Sequence, residues 1–400
     1  MKAVQKRMIA AGCVGLLLIC VAANATEKET YAQKSEKADR QALNSESLET
    51  SQTEWDTQDK ELTFWYADAS YSDFFEQAAK EYYEDTGIRV QVCYQSTMDY
   101  LKEIYDATMN DDAFPDIYML GSDQLESAYL YGLAAENLSG DIYESSVAAN
   151  ANRASSYHDK MYAYPLSYST CLFAYQNGYF EEKPASIQSI IDVSAQMEQP
   201  ENVQYLLEWN VNDAFYDFPF ISNSVSFVKD EVETMQVDYD QTLYDEDLEF
   251  FAQILESFSI DASSVTEESV ISDFKEGKTI CAILSSDAVA QLEGCDYSLT
   301  ELLPLNDTLE AKSAALTDLV VVNDFSEEKK KAADFAEYVT LTMAEELHGL
   351  SGHYSVKLSE DADEDEKISY DAYENSVPVP DSQDAREFWV TLKETISQYF

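Results

Sequence analysis

A tryptophan, a tyrosine and an aspartate stand close together in "ELTFWYAD", as Trp65, Tyr66 and Asp68. Flat aromatic faces beside a carboxylate can hold a ring that presents apolar C–H faces and a fringe of hydroxyls. The aromatic rings stack on the C–H faces, and the carboxylate accepts from the hydroxyls. The same residue types recur further along. Asp123 lies in "SDQLESAYLYGL", and Ser285 and Asp287 lie in the turn "SSD" after the run "TICAIL". Each has a plainer role beside this one. Trp65 at a strand end can be core, and Asp123 early in a helix is favoured by the helix dipole. With 28 tyrosines in the chain, no single tyrosine carries much weight.

Other chemistries lack their residues. Glycine is scarce, 11 of 400, and neither GxGxxG nor GxxxxGK[ST] occurs. No GxSxG marks a nucleophilic serine. There are three histidines and no CxxC, which leaves no zinc site. The 77 acidic residues guarantee carboxylate pairs by chance, so such pairs do not argue for a glycosidase. "SEDADEDEK" at 359–367 lacks the ligand order and glycine of an EF-hand and reads as a solvated acidic loop. The expectation is a protein that is not an enzyme, with no cofactor and no metal.

The formal charge of −52 sets the partners. Nucleic acid and anionic membrane surfaces would be repelled. Neutral and cationic ligands stay open. Hydrophobic residues make up 45% of the chain, enough for real cores. The N-terminus reads as a secretion signal over 1–25. Lys2, Lys6 and Arg7 precede an apolar run from Met8 to Ala23, and Ala23-Asn24-Ala25 fits a cleavage site. Lipid attachment at Cys13, after Ala11-Gly12, or at Cys20 and an uncleaved anchor are the alternatives, so the chain is expected in the periplasm or at the cell surface, anchored or free. Cys93, Cys171, Cys281 and Cys295 remain. Outside the cytoplasm they can pair in any of three ways or stay as buried thiols.

The elements that must position the candidate residues begin at Glu61, after a polar tether over 26–60. "ELTFWYAD" and "IRVQVCYQ" read as strands. Between them Phe74, Ala78 and Tyr82 form a helical stripe, with Phe75 and Ala79 beside it and Gly87 closing the end. "TMDYLKEIYDATMN" is a helix, "FPDIYML" a strand, and "SDQLESAYLYGL" a helix with Ser122 as N-cap. "YAYPLSYSTCLFAYQNGYF" contains a long strand. Helices are expected at 186–198, near 202–209, over "EDLEFFAQILESF" and "EESVISDFKEGK", along "SEEKKKAADFAEYVTLTMAEEL" and at the C-terminus; Trp209 reads as core. "TICAIL" and "ALTDLVVVN" are strands. Alternating strands and helices imply an α/β fold with parallel strands.

This order of elements resembles the extracellular solute-binding proteins of family 1, the group that includes the maltose-binding protein of bacterial ABC importers. The resemblance covers about 61–400 and rests on "LTFWYAD", "YEDTGIRVQV", "DAFPDIYMLGSDQLESAYLYGLAAENL", "DKMYAYPLSYSTCLFAYQNGYF", "FKEGKTICAILSSDAVAQL" and "VPVPDSQDAREFWVTL". It implies a two-lobed periplasmic-binding-protein fold of type II, each lobe a sheet flanked by helices, with a hinge between. It places the first lobe at 61–167 with 312–346, and the second at 168–311 with 347–400. The strand over 168–177 becomes a hinge crossing, with Tyr164 to Thr170, Tyr168 among them, lining the cleft mouth. Tyr216 in "NDAFYDFPF" and Trp389 on the final helix become aromatic ligand contacts, with Phe388 the core residue beside Trp389. The implied function is capture of a small solute, a carbohydrate by default, by hinge closure, and its delivery to ABC permease subunits by a monomer. A polyamine or other cation is a second ligand class, and a surface sensor or adhesin is a second role. The chain departs from the sugar-binding pattern at Leu120, at the "SSD" turn, which lacks Gly-Pro-Trp, and at Gly349 to His353, which matches the Gly-x-Pro loop only loosely.

Overall fold

Strands that alternate with helices must bury both faces of their sheet, and the computed structural model of the protein has that arrangement. It describes residues 61–400 apart from 111–112, 181, 195–199, 230–234, 259, 261 and 263–264. The expected leader, 1–25, and tether, 26–60, lie outside the described residues. The strands are β1 Leu62–Tyr66, β2 Val90–Tyr94, β3 Ile117–Gly121, β4 Ser156–Tyr157, β5 Lys160–Met161, β6 Tyr164–Gln176, β7 Tyr205–Glu208, β8 Val225–Lys229, β9 Met235–Tyr239, β10 Thr279–Ser285, β11 Tyr297–Thr300, β12 Ala314–Val322 and β13 Val377–Pro378.

The main sheet runs β2-β1-β3-β12-β6-β10-β7, with β13 beside β12 and β11 beside β6. β1 is parallel to β2 and β3, while β12 is antiparallel to β3 and β6. β6 changes partners along its length. Its residues 164–170 pair with β12, and 171–176 pair with β10 and β11. This explains its composition. A strand with neighbours on both edges and helices on its faces takes aromatic and aliphatic residues on both sides. Leu166, Tyr168, Leu172 and Phe173 are all fully buried.

The helix Ser72–Thr86 buries Phe74, Phe75, Ala78, Ala79 and Tyr82, the stripe read from the sequence. Phe75 meets Phe64 of β1 edge-on at 4.5 Å, and Tyr82 meets Phe335 at 5.1 Å. Gly87 ends the helix at φ +76°, a left-handed conformation that any side chain would strain. The C-terminal helix Gln383–Ile396 is capped by Ser382 and buries Phe388, as expected. Trp209 is core too, its Nε1 donating to Asp217 Oδ1 at 3.0 Å.

Several expectations change. The segment near 202–209 is not helical. Its residues 205–208 are β7, paired in parallel with β10, because buried Glu208 takes a 2.6 Å bond from Thr279 Oγ1. Ser122 does not cap a helix: its hydroxyl accepts from Thr317 N at 3.1 Å, and one 3-10 turn precedes the helix Leu125–Leu130. The acidic run is loop only as far as Asp363. That residue caps the helix Glu364–Asn375, whose first turn holds Glu364, Asp365 and Glu366, where the dipole favours negative charge. The long helix expected from Ser326 is broken into Lys329–Glu337, a π-helical turn at Tyr338–Thr342, and Leu347–Ser351. Among the described residues no disulfide joins Cys93, Cys171, Cys281 and Cys295.

Candidate functional site

In open α/β sheets, ligands sit outside the carboxyl ends of the strands. Here the registers gather those ends. β1 and β3 run parallel and finish at Tyr66 and Gly121. Asp318 of β12 lies opposite Gly121 on one side and Ser167 of β6 on the other. Ser285, the last residue of β10, lies opposite Cys171 of β6. The end of β3, across β12, and the end of β10 therefore come to residues 167–171 of β6, where that strand changes partners, and Tyr71, just past β1, reaches Ser167 there.

Two hydrogen-bonded clusters, joined by a stacked pair of rings, fill this meeting point. Asp68, just past β1, accepts from Ser70 N at 2.8 Å and Ser70 Oγ at 2.6 Å. Ser70 Oγ also meets His353 Nε2 at 2.8 Å. His353 Nδ1 lies 3.0 Å from Asp287 Oδ1, and Asp287 Oδ2 accepts from Ser169 Oγ. The imidazole stacks on Tyr71, with ring centres 4.3 Å apart and planes 12° apart. Tyr71 Oη donates to Asp318 Oδ2 at 2.6 Å, and Ser167 Oγ donates to the same oxygen at 3.0 Å.

Charge sets the electrostatics. Burial pushes the Asp318 carboxyl up to about 6, although the Tyr71 and Ser167 hydroxyls oppose the rise. Burial pulls His353 down, but the Asp287 carboxylate, then Asp318 and Asp68, outweigh it, and the imidazole ends above its ordinary value. Ser70, His353 and Asp287 have the connectivity of a nucleophilic triad. Asp68 defeats that reading. Ser70 has one hydroxyl proton, and a carboxylate at 2.6 Å requires it. Ser70 then has only lone pairs to offer His353, so Nε2 donates and takes no proton.

The sequence candidates fall into groups around this network. Asp68 and Asp287 belong to it. Ser285 stands at the end of β10, two residues before Asp287, and donates to Glu267 Oε1 at 2.8 Å; Tyr216 Oη donates to the same oxygen. Tyr216 is only 4% exposed. Asp123 follows β3, with its carboxylate lying over Gly121. Burial, then the charge of nearby Asp381, raises the Asp123 carboxyl. Asp381 in turn accepts from Ser127 N at 2.8 Å and pairs with Arg386.

The aromatic candidates are more enclosed. Trp65 and Tyr162, both half-buried, pack on a second core beside Leu120 and Leu319. Tyr66 is 3% exposed and lies against Phe75 and Tyr94, with its hydroxyl on Ser72 at 3.1 Å. Tyr168 is fully buried. It stacks on Tyr373 at 4.2 Å, its hydroxyl donates to Ser369, and it lines no open surface in this conformation. It points away from the network because neighbours Ser167 and Ser169 take the other face of the strand. Trp389 is half-buried against Phe218 and Phe388, and its buried Nε1 has no partner among the described residues. A buried indole N–H left unpaired is costly and is the group a bound acceptor would satisfy.

Sequence reasoning missed Ser70, Tyr71, Glu267 and Asp318, and gave His353 no role. One signal was available, because Asp318 is the only charged residue in the strand "AALTDLVVV". His353 had none, since its partners are 66 and 283 positions away in the chain.

The comparisons with known proteins identify the family and the fold. A family profile described as bacterial extracellular solute-binding protein matches residues 77–368. The chain belongs to that family, whose members act outside the cytoplasm. No curated protein sequence is similar to it. Solved structures share its two-lobed fold. A cyclo/maltodextrin-binding protein complexed with maltotetraose superposes with a TM-score of 0.73 at 16% identity, covering 84% of this chain and 91% of its own. The maltose-binding periplasmic protein of Listeria monocytogenes, with maltose, gives 0.71 at 18%, covering 85% and 92%. An extracellular solute-binding protein of Staphylococcus aureus, also with maltose, gives 0.69 at 20%, covering 86% and 93%.

Proposed function

We propose that this solute-binding protein takes up a neutral polyhydroxylated solute, a carbohydrate, at the strand ends described above, closes over it, and passes it to an ABC permease. One observation carries the reading. Hydroxyl and carboxylate groups from β6, β12 and the turns after β1 and β10 converge on one place: Ser167, Ser169, Asp318, Asp68 and Asp287. Such groups are the partners sugar hydroxyls require. The structural relatives solved with maltose and maltotetraose support the ligand class. The protein performs no chemistry in this reading. Closure is favoured because the solute binds the closed form more tightly.

The lobes follow from the switch of partners in β6. We assign the first to about 61–167 with 312–346, and extend it through Val356. Val356 bonds Leu166 and Ala148, and Ser355 bridges Ser167. The second is 168–311 with the remaining C-terminal residues, and the protein acts as a monomer outside the membrane. A cationic solute such as a polyamine is the second reading, favoured by three carboxylates, Asp68, Asp287 and Asp318, around one histidine.

The test is a thermal-shift screen of the purified protein against mono- and oligosaccharides, polyamines and amino acids. Ligand at 100 times its Kd adds about 2.7 kcal/mol, a readable shift. A saccharide shift that disappears in Asp68→Ala supports the reading. Shifts with polyamines alone, or with no saccharide, overturn it.

A further inference from the structure

Two oxygen acceptors flank His353, and the chain settles where its protons lie. On one side, Ser70 Oγ has given its proton to Asp68, so it can only accept from Nε2. On the other, Asp287 Oδ1 stands 3.0 Å from Nδ1, and a carboxylate can only accept. This arrangement is satisfied in full when both ring nitrogens donate, and only the imidazolium has two donors. The ring is held in place to do so, stacked on Tyr71 with 8% of its surface exposed.

The two bonds differ in what they join. Tyr71, Ser70 and the 352–356 segment belong with β1 and the first half of β6. Asp287 follows β10, which pairs with the second half of β6. The bond from Nδ1 to Asp287 thus runs from one strand group to the other, across the site. We propose that His353 is a proton-operated latch: as an imidazolium it ties the turn after β10 to the turn after β1 and holds the lobes closed, and as a neutral ring it lets go.

The direction of release follows from the same hydrogen bonds. The Asp68–Ser70 pair keeps an acceptor at Nε2, so the neutral ring keeps its proton there. The proton lost is the one on Nδ1. A nitrogen lone pair then faces the Asp287 carboxylate, and the crossing bond becomes a repulsion. Ser169 still donates to Asp287, a bond within 168–311 that holds the carboxylate in place and ties nothing across the site.

The charged and titratable groups facing the ring are Asp68 and Tyr71 from the turn after β1, Asp318 from β12, and Asp287 from the turn after β10. Asp287 and Asp68 favour the imidazolium, as does Asp318 while it is ionised, above about pH 6, and the pKa of the ring lies above the ordinary 6.5. Tyr71 stays neutral throughout, since burial pushes its hydroxyl well up. Closing is therefore favoured below about pH 6.5 and is lost as pH rises through the raised value. Placing the solute cleft here rests on the function proposed above, but the latch is tested without any solute, so a failed saccharide screen and a failed latch are separate results.

Two measurements on the purified, solute-free protein decide it. The first is a nitrogen-15 NMR titration of the three histidines, with His353 assigned by its loss in His353→Gln. The second is small-angle X-ray scattering between pH 5.5 and 8.5. The expected result is an imidazolium signal for His353 at pH 6, with a midpoint above 6.5 that falls in Asp287→Asn. Scattering should show a more compact protein at pH 5.5 than at 8.5, and no such change in His353→Gln or in Asp287→Asn. If one variant fails to fold, the other carries the comparison. A neutral His353 at pH 6 overturns the proposal, and with its proton on Nδ1 it restores the triad reading. A change in compactness that persists in both variants overturns it as well.

Discussion

Asp318 allows a stability prediction with both sign and size. The residue sits in the middle of β12, and burial raises its carboxyl from an ordinary 3.8 to about 6. A gap of about two pH units is worth about 3 kcal/mol between the two protonation states. The sign follows from linkage. A carboxyl whose folded pKa exceeds its unfolded pKa favours the folded state when protonated. That contribution is present in full below about pH 4 and is lost as pH rises through about 6. Above pH 7 the folded protein carries a charge it would be more stable without. Asp318→Asn removes the charge and keeps an oxygen for the Tyr71 and Ser167 hydroxyls. Those bonds weaken on losing their ionic partner, by about 1 kcal/mol together. The variant should then be about 1–2 kcal/mol more stable than the parent at pH 8 and slightly less stable at pH 4. The assay is urea unfolding followed by tryptophan fluorescence at pH 4, 6 and 8. With a slope of about 3 kcal/mol/M, the difference between variant and parent midpoints should swing by nearly 1 M across that range. His353 contributes in the same direction, because its folded pKa is also raised. The double variant with His353→Gln separates the two. An Asp318→Asn protein that is less stable at pH 8, or whose offset from the parent is the same at pH 4 and 8, refutes the account of a carboxylate held charged at a cost.

Two further outcomes follow from the core. Tyr168→Phe loses only the hydroxyl bond to Ser369 and should cost about 1 kcal/mol, whereas Tyr168→Ala should cost about 3–5 kcal/mol, both by chemical denaturation. A tenfold loss of solute affinity in Tyr168→Phe at unchanged stability would instead put this side chain on the solute. Thiol titration of the folded protein should label Cys93 and Cys295, which are half-buried, and spare Cys171 and Cys281, whose thiols burial pushes well up. Unfolding without reductant should expose all four, and any of the four that stays unreactive would reveal a disulfide.

Periodicity carried the parts of the fold that depend on local sequence. The stripe from Phe74 to Tyr82, the stop at Gly87 and the strand character of 164–176 were all legible, because each is fixed by residues a few positions apart. Where tertiary partners decide, the reading failed. "QYLLE" has helical composition but pairs beside β10, and Ser122 gives its hydroxyl to a backbone amide 195 positions away. The site divides the same way. Asp68 and Asp287 stood out as polar residues just past strands. Tyr168 did not belong with them, since in a strand every second residue faces the other way, and the face that carries the network is that of Ser167 and Ser169. His353 became visible only when the chain brought three carboxylates to it.

That gathering of charge also narrows what the cleft can accept. A chain with 77 acidic and 25 basic residues can spread its negative charge over the surface at little cost. Here it also carries the charge inward, to Asp68, Asp287 and Asp318, and balances it with a single imidazole. A solute bearing a carboxylate or phosphate would have to lose its hydration against three like charges and one partial counter-ion. A neutral polyol loses less and finds acceptors already oriented by Ser70, Ser169 and Tyr71. The same logic makes proton and solute linked ligands of one site. Any solute that donates hydroxyls to Asp287 competes with the imidazolium for that carboxylate's lone pairs, so affinity for a saccharide should depend on pH in the window where His353 titrates. A cationic solute would replace the proton outright, and its binding should release one.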